Sequence, residues 1–65
     1  MDTVWIVHSV YEDFGWHSST HSIHASQHSA MCEARRLGQP ILLGEDENDG
    51  RYDRYLTITE WVVQS

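Results

Sequence analysis

Two runs rich in β-branched and aromatic residues most constrain how this chain can fold. Residues 3–11 (TVWIVHSVY) and residues 54–63 (RYLTITEWVV) both have the composition of β-strands. In the first run, apolar residues occupy both alternating faces. This pattern predicts a central strand with one face against a helix and the other face partly covered.

A helix is predicted between Ser26 and Gly38. Ser26 is a favourable N-cap, and Gly38 suits the position just after the last helical residue, Leu37. Pro40 prevents the helix from continuing. The predicted buried stripe of this helix consists of Ala30, Met31, Ala34 and Leu37.

The segment before the helix admits two interpretations. Residues 20–25 (THSIHA) form either a second strand or the first part of one long helix over residues 19–37. Serine and histidine are indifferent helix formers, so the composition favours the strand. Residues 12–19 are predicted as a turn or loop around Gly15, residues 41–43 as a brief strand, and residues 44–50 as a polar loop.

These elements predict one α+β domain over residues 1–65, in the order β-β-α-β. We expect a small antiparallel sheet of three to four strands with one helix packed on one face. A core of this size is thin, and a single cysteine excludes an internal disulfide. The lone cysteine and the lack of a long apolar run lead us to expect a cytoplasmic protein.

The residues give little indication of catalysis. Cys32 is expected near the buried stripe of the helix, as a small apolar core residue and not as a nucleophile. The sequence contains no glycine-rich phosphate loop. Residues 45–56 depart from a calcium-binding loop at both ends, with Glu45 at the first position and Leu56 at the last. We therefore predict a protein without enzymatic activity and without a cofactor.

Four histidines are the residues that most resemble a metal site. His17, His21, His24 and His28 would line one stripe of a continuous helix, where they could bind Zn²⁺ or Ni²⁺. With a strand followed by a helix they scatter, because His17 then lies in a loop and His21 and His24 point to opposite faces. We predict no metal site, and a histidine-based metal-binding protein is kept as an alternative.

The charge balance is strongly negative. Ten aspartates and glutamates face four basic residues, all arginine, and the net charge is −6. This balance argues against direct binding to nucleic acid or an anionic membrane, and it suits a partner with a basic surface. The predicted partner-binding positions are the carboxylates of two loops and two aromatic residues beside them: Glu45, Asp46, Glu47, Asp49, Glu12, Asp13, Phe14 and Trp16.

Carboxylates can occupy a Lys/Arg surface that normally binds phosphates, because they accept the same paired hydrogen bonds from arginine. Phe14 and Trp16 flank Gly15 and would provide apolar anchors beside the charge. The alternative is that both aromatic rings face the core under a solvated loop.

The stretches VWIVHSVYEDFGW, SIHASQHSAMCEARRLG and LTITEWVV, with the small size and acidity of the chain, resemble the phage-encoded anti-CRISPR proteins. Among these, the chain is most similar to inhibitors of type I-C surveillance complexes. The resemblance implies a stoichiometric inhibitor in the host bacterial cytosol, which binds a DNA-binding subunit through acidic side chains as a DNA mimic. Arg51 and Arg54 depart from a pure mimic, since they follow the acidic loop. The alternative is a small accessory or scaffold protein, either monomeric or weakly homodimeric.

Overall fold

The computed structural model describes residues 2–43, 46–48 and 50–63. These residues form β1 (Asp2–Glu12), β2 (Trp16–His24), α1 (Gln27–Leu37), β3 (Ile41–Leu43) and β4 (Arg54–Val63). The strands belong to one four-stranded sheet in the order β2-β1-β4-β3. The α+β class is confirmed, and the order along the chain is β-β-α-β-β. The antiparallel sheet that we predicted is in fact mixed, because β3 pairs with β4 in parallel.

β1 and β2 form a tight hairpin. Glu12 pairs with Trp16, so only residues 13–15 make the turn. The turn needs two positive φ angles, 57° at Phe14 and 132° at Gly15. The predicted loop over residues 12–19 is therefore wrong from Trp16 onward. Pairing with the long β1 strand supplies the stability that the serine-rich sequence of β2 does not itself provide.

A β-bulge interrupts the pairing of β1 with β2. Val7 pairs with Ser22 and His8 pairs with Thr20, which leaves His21 as the extra residue. An extra residue shifts the alternation of side chains between the two faces of a strand. His21 and His24 consequently both reach α1, where His21 contacts Glu33 and His24 contacts Ser29. The prediction that these two histidines point to opposite faces is therefore wrong.

The boundaries predicted for the helix are confirmed. The Ser26 side chain accepts a hydrogen bond of 3.1 Å from the backbone N–H of Ser29. Gly38 adopts the left-handed conformation at φ 71°, and its N–H donates to the carbonyl of Arg35. Both contacts satisfy backbone groups that have no partner inside a helix.

The core lies between α1 and one face of the sheet. Val7, Leu56 and Ile58 from β1 and β4 are buried against Ala30 and Ala34 of the helix. The two alanines have little side-chain volume, which lets the helix lie close to the sheet. The partly buried residues around this cluster are Trp5, Met31, Leu37, Ile41 and Leu43. The buried stripe was thus predicted correctly, whereas Cys32 is exposed, contrary to its predicted place in the core.

Within the described part of the chain, no helix combines the length and apolarity needed to cross a membrane.

Candidate interaction surface

The face of the sheet opposite α1, called here the open face, carries several exposed apolar residues. Strand alternation assigns residues to it, because neighbours of the buried residues Val7, Leu56 and Ile58 must point the other way. The open face includes Val4, Ile6 and Val10 of β1, Trp16 and Ile23 of β2, Leu42 of β3, and Tyr55, Thr57, Thr59 and Trp61 of β4. None of the described helices or strands packs against it.

Three large apolar residues of the open face are strongly exposed. Ile23, Trp61 and Trp16 keep 62%, 60% and 54% of their surface accessible. Single exposed apolar residues are common, but several on one continuous sheet face indicate a binding surface. We predicted that this second face is partly covered, but no described helix or strand covers it. Val4, Ile6 and Val10 are half-buried between their neighbours on the sheet.

The hairpin turn, residues 13–15, carries the most exposed aromatic side chain. Phe14 is fully exposed, so the alternative that it faces the core is excluded. Trp16 lies on the open face, and its ring centroid is 6.2 Å from that of Tyr55. This contact fixes one side of Trp16, while the other side remains accessible as an apolar anchor.

One group of carboxylates surrounds the hairpin turn. Glu12 and Asp13 are exposed there, and the backbone N–H of Glu12 donates to the carbonyl of Asp53 at 2.9 Å. Arg54 follows immediately, but its guanidinium lies 5.7 Å from the centre of the Tyr11 ring. Tyr11 and Arg54 pair with each other and point to the helix side of the sheet. Arg54 therefore dilutes the acidic field on the helix side more than on the open face.

A second group of carboxylates lies along β4 beyond the end of β3. Asp46, Glu47 and Glu60 line a groove of about 520 Å³ together with the open-face residues Leu42, Tyr55, Thr57 and Thr59. Asp46 is held in place, because its carboxylate accepts a hydrogen bond of 3.1 Å from the backbone N–H of Leu43. Glu47 is exposed. The groove thus joins an apolar wall to acidic side chains.

The two acidic groups are separate. Glu12 and Asp13 lie at the hairpin turn beside the start of β4, and Glu60 lies ~20 Å from Arg54 at the usual rise of a strand. Asp46 lies nearer the middle of β4, because it contacts Leu43, which pairs with Ile58. Glu45 and Asp49, which complete the predicted acidic loop, lie outside the described residues. The structure therefore brings Asp46 and Glu47 together beside β4, and it places Glu12, Asp13 and Phe14 at the hairpin turn.

The histidines connect β2 to α1. His24 contacts the Ser22 hydroxyl through Nε2 and the Ser29 hydroxyl through Nδ1, both at 2.8 Å. His28 and Cys32, one turn apart on the helix, are 3.6 Å apart from Nε2 to Sγ. Among the residues that the structure describes, no three His, Cys, Asp or Glu side chains come together as a possible metal site.

Glu33 is the centre of the ionic contacts on α1. Arg36 donates to its carboxylate from Nε at 3.1 and 3.3 Å and also from Nη2. His21 lies 3.3 Å from the same carboxylate. These contacts, with the Arg36 hydrogen bond the stronger cause, lower the pKa of Glu33 from 4.5 to about 2. The cluster holds the bulge of β2 against the helix and leaves the open face free.

The sequence alone did not identify Ile23, Tyr55 and Trp61 as members of the candidate surface. The available signal was the second apolar face of residues 3–11, which requires apolar neighbours on the paired strands. Comparison with protein-family models, with curated proteins and with solved structures finds no match to this chain.

Proposed function

We propose that this protein is a non-catalytic inhibitor that binds a basic, nucleic-acid-binding surface of a host CRISPR effector complex and blocks the binding of target DNA. The observation that carries the proposal is the exposed apolar sheet face, against which no described helix or strand packs, with carboxylates at the hairpin turn and in the groove beside β4. The resemblance to anti-CRISPR proteins supplies the class of partner. Exposed aromatic residues provide binding energy, and the carboxylates select a positively charged partner.

The open face alone is too small for a standard interface, so we expect the neighbouring charged residues to contact the partner as well. β2, β1 and β4 span ~30 Å along the strands and ~14 Å across them at standard strand spacings. This footprint of about 400 Å² is half of the ~800 Å² that each partner buries in a standard interface. The hairpin turn and the groove beside β4 extend this surface, so a partner of ordinary interface size would reach the carboxylates at both places.

Inhibition is tested with a reconstituted type I-C surveillance complex. Target DNA binding is measured by mobility shift as the purified protein is added, and we expect DNA binding to fall to zero near an equimolar ratio. Inhibition should weaken as salt rises, because charges on the rim of an interface are screened. Undiminished DNA binding at a large excess of the protein would refute the proposed target.

Paired variants test the surface itself. Asp46→Asn with Glu47→Gln removes two charges at the groove, and we expect affinity to fall by a factor of about five for each lost ion pair, or ~1 kcal/mol. The control is Gln27→Lys with His28→Lys, which changes the net charge at pH 7 equally but on exposed positions of α1. Equal losses in both variants would show that only net charge matters and would contradict a role for the acidic surface.

Trp61→Ser tests the apolar part of the surface. Because Trp61 is exposed, the substitution should leave the fold intact. We expect it to weaken binding by at least tenfold, the scale of an aromatic anchor at ~2 kcal/mol or more. Sedimentation experiments test for a homodimer at working concentration. A homodimer that buries the open face would also contradict the proposal, since the face would then be unavailable to a partner.

A further inference from the structure

The edge of β4 is only partly paired. In the described part of the chain, β3 pairs with β4 over Leu56–Ile58. Residues 59–63 of β4 therefore have no strand beside them on that side among the described residues. A strand edge without a neighbour carries backbone groups that are free to pair with another chain.

The direction of the free backbone groups follows from one hydrogen bond. The N–H of Leu56 donates to the carbonyl of Pro40 at 2.8 Å, so Leu56 directs its backbone toward β3. Backbone groups of a strand alternate between its two edges. Ile58, Glu60 and Val62 thus point the same way as Leu56, and Thr59 and Trp61 point toward β1. Glu60 and Val62 present their N–H and C=O groups at the free edge.

The groove described above reaches this edge at Thr59 and Glu60, and it runs back along β4 to Tyr55. Asp46, Glu47 and Glu60 line it, and no arginine occurs among its described lining residues. A segment added beside residues 59–63 would run in line with β3 and place alternate side chains next to these carboxylates. The surroundings of the edge therefore favour lysine or arginine in the added segment.

Resting on the proposed function, we infer that the free edge of β4 binds an extended, lysine- or arginine-containing peptide segment of the partner protein as an additional strand. Backbone hydrogen bonds to Glu60 and Val62 would provide affinity. The carboxylates of the groove would provide selectivity for basic side chains.

Two other arrangements fit the structure less well. A second copy of the chain pairing edge to edge would bring two sets of the same groove carboxylates together, and like charges in that position repel. The outer edge of β2 is also free of a strand neighbour in the described chain, but the bulge at His21 breaks the regular spacing of its backbone groups. The β4 edge is regular and has the groove beside it.

Amide hydrogen exchange followed by NMR tests this inference without the surveillance complex. The probe is a short capped peptide of alternating lysine and threonine, and the control peptide has glutamate in place of lysine. In the free protein, the amides of Glu60 and Val62 should exchange fast, while those of Thr59 and Trp61 are protected by β1. Near saturation with the basic peptide, exchange at Glu60 and Val62 should slow by about tenfold, because only the peptide-free fraction then exchanges.

The inference is overturned if the Glu60 and Val62 amides stay unprotected with the basic peptide, or if the acidic peptide protects them equally. Protection of both amides in the peptide-free protein, together with dimerisation, would likewise overturn it in favour of a second copy.

Two changes at the backbone complete the test. A basic peptide that is N-methylated at alternate residues cannot donate to the edge and should not protect it. Val62→Pro removes an edge N–H without removing a hydrogen bond to β1, and it should abolish protection at Glu60. Inhibition of DNA binding by a protein that shows no peptide-dependent protection would refute the edge site and leave the proposed function standing.

Discussion

Phe14 occupies a backbone conformation that a phenylalanine rarely adopts, at φ 57° in the hairpin turn. The left-handed region costs an L-residue with a side chain ~1–2 kcal/mol. The ring recovers none of this cost within the protein, because Phe14 is fully exposed. Phe14 should therefore destabilise the fold, which makes its role in binding separable from its role in stability.

Two substitutions at this one position distinguish the effects. Phe14→Ala removes the ring but keeps the strained backbone, so we expect the free energy of unfolding to change by less than ~0.5 kcal/mol. Phe14→Gly removes both. Even after the added entropy of glycine in the unfolded chain, it should be about 1 kcal/mol more stable than the alanine variant. For a domain of this size, 1 kcal/mol corresponds to a rise in Tm of about 4–8 °C.

Urea unfolding followed by tryptophan fluorescence measures both variants. If Phe14 is an interface anchor, the two substitutions should weaken partner binding equally while their stabilities differ. Equal stability of the alanine and glycine variants would refute the strain argument. A wild-type protein more stable than both would show that the ring makes contacts inside the fold.

Three further changes test the fold and its pH dependence. Ser26→Ala removes the N-cap bond to the Ser29 N–H and should destabilise the protein by ~1 kcal/mol in urea, with Ser26→Asp restoring it; an unchanged midpoint would contradict the capping role. Leu56→Ala leaves a cavity in the centre of the core and should cost ~2–5 kcal/mol; since so small a core supplies only ~3–5 kcal/mol, we expect loss of the folded circular dichroism spectrum at room temperature. The pKa of Glu33 is lowered to about 2 by Arg36 and by His21, so its stabilising effect is complete above about pH 4.5 and is lost as the pH falls toward 2. Glu33→Gln should reduce the acid-induced drop of the melting temperature in this range, and an identical pH profile would refute the assignment.

The helix and the two long strands could be predicted because their signals are local. Ser26, Gly38 and Pro40 define the helix by capping and backbone geometry, which need no knowledge of the rest of the fold. The strand of residues 54–63 follows from its β-branched and aromatic side chains. The buried stripe of α1 likewise follows from helical spacing.

The errors have different physical origins. Cys32 was expected near the buried stripe, yet it lies about 200° around the helix from Ala30 at 3.6 residues per turn. Helical geometry alone would have placed it in solvent, where the structure has it. The start of β2 at Trp16 was missed because pairing with β1, and not the serine-rich composition of residues 16–22, makes this segment a strand.

The histidine orientations and the mixed sheet depend on tertiary contacts. A bulge at His21 changes which face each following residue occupies. His21 also contacts Glu33, which lies on the helix and not near it in the sequence. The parallel pairing of β3 comprises three residue pairs among the residues that the structure describes. The sequence predicts the charges and the hairpin aromatic residues of the candidate surface from local composition, whereas its sheet residues needed the register of three strands.

The position of β4 has a consequence for how the protein is made. β4 is synthesised after β1, α1 and β3, but it lies inside the sheet between β1 and β3 and contributes Leu56 and Ile58 to the core. Until it is made, one long edge of β1 and the apolar side of α1 have no partner. This edge of β1 and the apolar side of α1 therefore stay exposed until β4 is available, and the core cannot form before then.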